Sequence, residues 1–199
     1  MPLERTYEVK GSILGIRPPV WRRLRIHGDV TLGDFHDILQ AVMGWRRRHL
    51  HQFEFEGRLY AEKHPEFPRV YLDERKARLD DLLRAPKDRL NYEYDLGDGW
   101  LHAVVLEKVH GRHPDDPLCE VLAGKRACPP EDCGGPAGYN RLIEILEDEQ
   151  DPEHDEMKKW VGAFEPEAFD VDLVDRSVRR RFPKGRFKPK RPSPGKRPH

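Results

Sequence analysis

From Thr6 to Ile16 (TYEVKGSILGI) apolar and polar residues alternate loosely, which predicts a strand. Pro18 and Pro19 break it, and VWRRLRI follows as a second strand. A side-chain period of two places Val20, Leu24 and Ile26 on one face with Arg22 among them, and Trp21, Arg23 and Arg25 on the other. The period then changes. In TLGDFHDILQAVMGW, Leu32, Phe35, Ile38, Leu39, Val42 and Met43 recur at steps of three and four, the pattern of an amphipathic helix. Thr31 and Asp34 have capping-box spacing, with Asp as a shorter relative of the usual Glu, and Gly44 is a stop. HLHQFEFEGRLY returns to period two and reads as one strand, with Leu50, Gln52 and Glu54 opposite His51, Phe53 and Phe55. Hairpin, helix and strand in that order begin a small sheet with one covering helix.

Residues 61–76 are polar and contain proline, so they read as loop. ARLDDLLRAP predicts a short helix ended by Pro86. RLNYEYDL and WLHAVVLEKV are two strands joined around Gly97-Asp98-Gly99, a hairpin signal. Residues 109–138 carry no regular period and hold all three cysteines. GYNRLIEILED is a helix with Leu142, Ile143, Ile145 and Leu146 inward, and PEHDEMKKWVGAF is a second, with Pro152 near its start. FDVDLVDRSVRRR forms a last short helix or strand. PKGRFKPKRPSPGKRPH is low-complexity and reads as disordered. The sum is an α+β fold: a small mixed or antiparallel sheet with covering helices, one domain over residues 1–178 and a tail over 179–199.

Composition adds an asymmetry. The 199 residues are 37% hydrophobic and 36% charged, enough for a core beneath a heavily charged surface. No stretch of about 18 apolar residues spans a membrane, and the polar start MPLERTYEVKGS lacks the apolar segment of a secretory signal, so a cytoplasmic location is expected. Net charge is zero, yet ten of the 36 Lys and Arg fall in residues 179–199, which contain no Asp or Glu. The body keeps 26 basic against 36 acidic side chains, a net of −10.

Three constellations could carry chemistry. Cys128 and Cys133 have four residues between them, a spacing that metal knuckles accept, and Cys119 lies nine residues before Cys128. With His102 as fourth ligand they would make a closed zinc site tying down the loop; His154 is the alternative, and His110 and His113 lie in the same irregular region. The thiols read equally as small buried hydrophobes, or as a reactive thiol. Asp95, Asp98, Glu131 and Asp132 form an acidic group that, with His102, could hold a hard cation or do acid–base work. Asp98 before Gly99 is also ordinary turn chemistry, and Asp95 can serve the same turn.

The third constellation is basic and aromatic: Trp21 with Arg22, Arg23 and Arg25, and Trp45 with Arg46, Arg47 and Arg48. Arginine and aromatic groups together grip phosphate and stack on bases, but a body of net −10 opposes broad phosphate affinity. The tail is the better polyanion contact, for DNA or RNA, through Arg179, Arg180, Arg181, Lys184, Arg186, Lys188, Lys190 and Arg191.

IRPPVWRRLRI, YEYDLGDGWLH and CPPEDCGGPAGY together resemble the plasmid pRiA4b ORF-3-like family, from about Tyr7 to Asp175. That resemblance implies a single α+β domain and an association with plasmids and insertion elements; it implies no reaction. Two functions follow. One is a non-catalytic binding or adaptor module, attached through its tail to nucleic acid and able to take a protein partner. The other is a metal-dependent hydrolase using Asp95, Asp98 and His102 with the cysteine loop, which would need an open coordination position beside a cleft.

Overall fold

The computed structural model describes residues 4–63 and 70–185, and in it the first expected hairpin forms. Strands β1 (Arg5–Ile13) and β2 (Trp21–His27) run antiparallel, with Thr6 opposite His27 and Ser12 opposite Trp21. Seven more elements come next: α1 (Leu32–Met43), β3 (His51–Phe55), β4 (Arg58–Ala61), β5 (Leu72–Asp73), α2 (Leu79–Leu82), and the paired strands β6 (Arg89–Tyr94) and β7 (Trp100–Gly111). Strand β8 (Cys119–Lys125) and helices α3 (Gly135–Glu147), α4 (His154–Val161) and α5 (Val171–Arg181) follow. One sheet takes the order β5-β4-β3-β6-β7-β1-β2-β8. Its neighbours are antiparallel except the parallel β4–β5 pair, so the sheet is mixed and the fold is α+β.

Helix α1 covers the middle of this sheet. The Thr31 hydroxyl accepts the Asp34 N–H at 3.1 Å, and Gly44, at φ 92°, turns the chain out of the helix. The six apolar positions expected to face inward are all buried, against Tyr7, Val9, Leu24 and Val104 from the strands. Each such side chain stabilises the fold by roughly 1.5–3 kcal/mol.

Arg22 lies on the apolar face of β2, as its period requires, and it is buried. Its guanidinium donates to the carbonyls of Val42 (3.1 Å), Trp21 (2.9 Å), Lys125 (3.0 Å) and Arg126 (2.9 Å), and stacks on Phe169. One side chain thus ties the end of α1 to the ends of β2 and β8. On the opposite face Arg23 pairs with Glu107 at 2.5 Å, and Arg25 with Glu8 and Glu120. Of the arginines read as a phosphate face, Arg22, Arg23 and Arg25 are committed to the protein's own carbonyls and carboxylates.

Three elements differ from the sequence expectation. HLHQFEFEGRLY is two strands, because Glu56 and Gly57 take φ values of 49° and 76° and form the tight turn of a β3–β4 hairpin. Residues 61–76, expected as loop, contain β5; residues 109–138, expected as irregular, contain the end of β7 and all of β8. Residues 169–181 resolve to a helix: α5 continues to Arg181, since Val178 and Phe182 are buried in the core. Arg179, Arg180 and Arg181 therefore sit on a packed helix rather than in a tail that starts at 179. No helix among the described residues is long and apolar enough to cross a membrane.

Candidate functional site

Three connections meet at one end of the sheet: residues 44–50 between α1 and β3, the β6–β7 turn, and the cysteine-bearing loop after β8. The turn is built by Asp95. Its backbone takes φ 56°, its carbonyl accepts Gly99 N–H at 2.6 Å, and its Oδ1 accepts the N–H groups of Gly97 (3.1 Å) and Asp98 (3.3 Å). Asp98 then reaches across: its Oδ2 accepts Gly134 N–H at 3.2 Å. Gly135 lies so close that a Cβ there would stand 2.0 Å from the Asp98 carbonyl oxygen.

Other contacts complete the clamp on the loop. Trp45 Nε1 donates to the Pro129 carbonyl at 3.0 Å. Glu131 Oε1 accepts both the Tyr94 hydroxyl (2.7 Å) and Arg46 N–H (3.1 Å). Burial, with the Glu131 hydrogen bond, raises the Tyr94 pKa, so the phenol keeps the proton it donates.

The expected four-ligand set is not gathered. Cys119 is buried on β8 beside the Asp175 and Arg179 charges of α5; Cys128 neighbours Arg22 and Cys133, and Cys133 also neighbours Asp98, but the cysteines and His102 do not form a converging group of three ligand atoms among the described residues. His102 is enclosed between Trp45 and Tyr92, with Nδ1 donating to the Trp100 carbonyl at 2.8 Å and Nε2 buried without a hydrogen-bond partner. Burial lowers its pKa to about 4, so it is neutral at pH 7. His154 donates to the Ile145 carbonyl (2.9 Å), His110 Nε2 meets Glu8 (3.0 Å), and His113 accepts Asp115 N–H (3.2 Å). Each of these is engaged locally. Burial pushes all three thiols up, Cys133 to about 12, so none is an activated nucleophile.

The acidic group does converge, on a different imidazole. Among the described residues, the side chains whose ligand atoms lie within 4.8 Å of one another are His49, Asp95 and Asp132. His49 Nδ1 is 3.3 Å from Asp95 Oδ2, and His49 Nε2 is 3.3 Å from Asp132 Oδ1. Sequence reasoning missed His49. Its signal was the HLH string: carrying the β3 alternation two residues back from His51 puts both histidines on one face.

His49 also lines a cavity of about 310 Å³, together with His36, His51, Arg47, Lys63, Tyr71 and Glu62, whose carboxylate is paired with Arg75 at 2.6 Å. Leu50, Ala61 and Leu96 supply apolar wall, and Leu50 and Leu96 are exposed. The rings of His36 and His51 stack face to face, centroids 3.5 Å apart and planes within 6°. Each is locked from behind. Gln40 Nε2 donates to the Tyr92 oxygen at 3.0 Å, which directs the tyrosine proton to His36 Nδ1 at 2.8 Å. His51 Nε2 meets the buried Glu74 Oε2 at 2.7 Å. Burial, with the His51 and Arg47 charges, lowers the His36 pKa to about 2, so its ring stays neutral with the proton on Nε2.

The residues predicted for polyanion contact divide. Arg179 bridges Asp175 and Glu120, both at 2.6 Å, and Arg180 and Arg181 share its helix. Lys184 reaches the Pro114 carbonyl and Asp115. Arg186, Lys188, Lys190 and Arg191 lie outside the described residues.

The chain matches the family model described as plasmid pRiA4b ORF-3-like protein over residues 5–173, a span that contains all three segments of the sequence resemblance. It is 33% identical over 160 residues to the uncharacterized protein y4hQ of Sinorhizobium fredii (strain NBRC 101917 / NGR234), covering 78% of this chain and 80% of that protein. It is also similar to the crystal structure of MM3350, a protein of unknown function from Methanosarcina mazei Go1. The TM-score is 0.78 at 37% identity, covering 86% of this chain and 98% of that one. The chain belongs to the plasmid pRiA4b ORF-3-like family.

Proposed function

We propose that this member of the plasmid pRiA4b ORF-3-like family is a binding module that takes a small, flat organic anion into the cavity beside His36 and His51. The observation that carries this reading is the stacked imidazole pair, fixed by Tyr92 and Glu74 and facing about 310 Å³ of space. A site of that size suits a small molecule. A flat ring can lie against the imidazole platform and the Leu50 and Leu96 side chains. An anionic group on the ligand would meet Arg47 and Lys63; Arg47 gives one nitrogen to Asp37 at 2.7 Å and keeps further donors in its fork. The hydrolase reading has less support, because His102 is sealed in the core and Asp98 holds the loop through Gly134.

The test is calorimetry with a panel of aromatic carboxylates and their uncharged amides. Carboxylates bind, amides bind more weakly, and Arg47→Gln weakens the carboxylates about tenfold, equivalent to ~1.4 kcal/mol. Equal behaviour of carboxylates and amides, or no binding by either, contradicts the proposal.

Charge distribution favours a second role for the same module, attachment to DNA or RNA through the basic C-terminal run. Removing residues 186–199 leaves the buried Phe182 and the α5 contacts intact. The expected result is loss of salt-sensitive retention on DNA or RNA with an unchanged melting temperature. Full retention by the truncated protein at low salt would exclude this attachment.

A further inference from the structure

The geometry points to a divalent-cation site, of the zinc class, formed by His49, Asp95 and Asp132 at the rim of the cavity. Each carboxylate oxygen lies 3.3 Å from the imidazole nitrogen it faces. One ion takes one imidazole nitrogen, and one nitrogen of His49 with one oxygen from each carboxylate makes three ligand atoms within 4.8 Å of one another, a spread that small side-chain adjustments close onto a single ion. His49 Nε2 is buried and makes no hydrogen bond, although Asp132 stands beside it. A neutral imidazole has one N–H to give, and here both nitrogens face carboxylates. A cation on the unprotonated nitrogen would take the place of a proton there and draw in both carboxylates.

The donors are also held in place before any ion arrives. Asp95 has its Oδ1 occupied by two turn N–H groups, which aims Oδ2 at His49. Asp132, at φ 62°, sits on the loop clamped through Pro129, Glu131 and Gly134. Fixed donors lose little freedom on binding. One imidazole with two carboxylates is a donor set for zinc or another first-row divalent ion. Asp132 is 65% exposed, so at least one coordination position opens outward beside the cavity that His49 also lines. This site is distinct from the cysteine set, and it does not rest on the anion-binding reading of the cavity.

The test uses zinc alone on the full chain, stripped with a chelator and titrated calorimetrically. One zinc per chain binds; Asp132→Asn, which keeps a residue tolerant of positive φ, weakens it more than about tenfold, and His49→Gln does the same. Cys128→Ser/Cys133→Ser leaves it unchanged. With cobalt in place of zinc, visible bands appear without a thiolate charge-transfer band. Thermal unfolding of each variant without metal separates lost ligation from lost fold. No saturable uptake, uptake indifferent to Asp132→Asn, or uptake abolished only by the serine pair overturns the site.

Discussion

Arg22 has four carbonyl partners that no other side chain could reach together. A lysine there has no planar fork and leaves buried carbonyls without donors, each costing about 1–3 kcal/mol. Arg22→Lys is therefore expected to lower unfolding free energy by about 2–4 kcal/mol in urea denaturation, while retention on nucleic acid stays as in the parent. Unchanged stability would return Arg22 to the surface role its sequence context suggests. Gly135 makes a sharper case. It takes φ 67° with the Asp98 carbonyl where a Cβ would be, so Gly135→Ala should cost more than about 2 kcal/mol. Gly57 has positive φ and open space, so Gly57→Ala should cost only about 1 kcal/mol. Equal losses at the two positions would mean that the hairpin does not press on the loop. The glycines and prolines of CPPEDCGGPAGY announced a stiff bend, but the partner that makes Gly135 obligatory lies 37 positions away and leaves no local trace.

Among the elements, α1 was legible because its cap, its apolar period and its stop all lie within fifteen residues and agree. Strand β8 was not. Only Cys119 and Val121 of its seven residues are buried, too short an alternation to stand out beside His113-Pro114-Asp115-Asp116-Pro117. Its register is set by β2, with an irregularity between Arg23 and Leu24, and its outer edge is covered by α5. There a helix side chain stands in for a missing strand: Asp175 Oδ1 accepts Val121 N–H at 2.7 Å. Asp175→Ala removes that acceptor and the pairing with Arg179 together, with an expected loss of about 1–2 kcal/mol and faster hydrogen exchange at Val121. Protection at Val121 equal to the parent would show that α5 does not cap the edge. The same logic explains the candidate site. Asp95 and Asp132 were legible as acids near a turn, but the imidazole between them is brought in by β3, whose start is fastened when Asp95 N–H donates to the Leu50 carbonyl at 2.8 Å.

At the scale of the whole molecule, two buried imidazoles and a buried carboxylate act in one direction on acidification. His36 and His102 have folded pKa values of about 2 and 4 against 6.5 in the unfolded chain, so unfolding takes up protons once pH falls below 6.5. Their contribution is complete above 6.5 and lost on acidification, at about 1.4 kcal/mol per pH unit for each ring. Glu8 adds to this. Burial alone would raise its pKa, but hydrogen bonds from Lys108 and Arg25 and the His110 charge bring it down to about 2 from 4.5. Its contribution holds above pH 4.5 and fades below. Melting temperature should therefore fall steadily from pH 6.5 toward 4, and a flat profile would show that these imidazoles are not buried neutral. The charge split between an acidic body and a basic C-terminal run was legible from composition. The cavity was not, because its walls come from α1, the α1–β3 connection, β4 and the segment before β5, which only the assembled sheet brings together. The cavity reading is tested most directly by following histidine-ring NMR signals during titration with an aromatic carboxylate. The account predicts that the His36 and His51 rings shift with the carboxylate and far less with its amide; shifts confined to residues outside the cavity, or none at all, would contradict it.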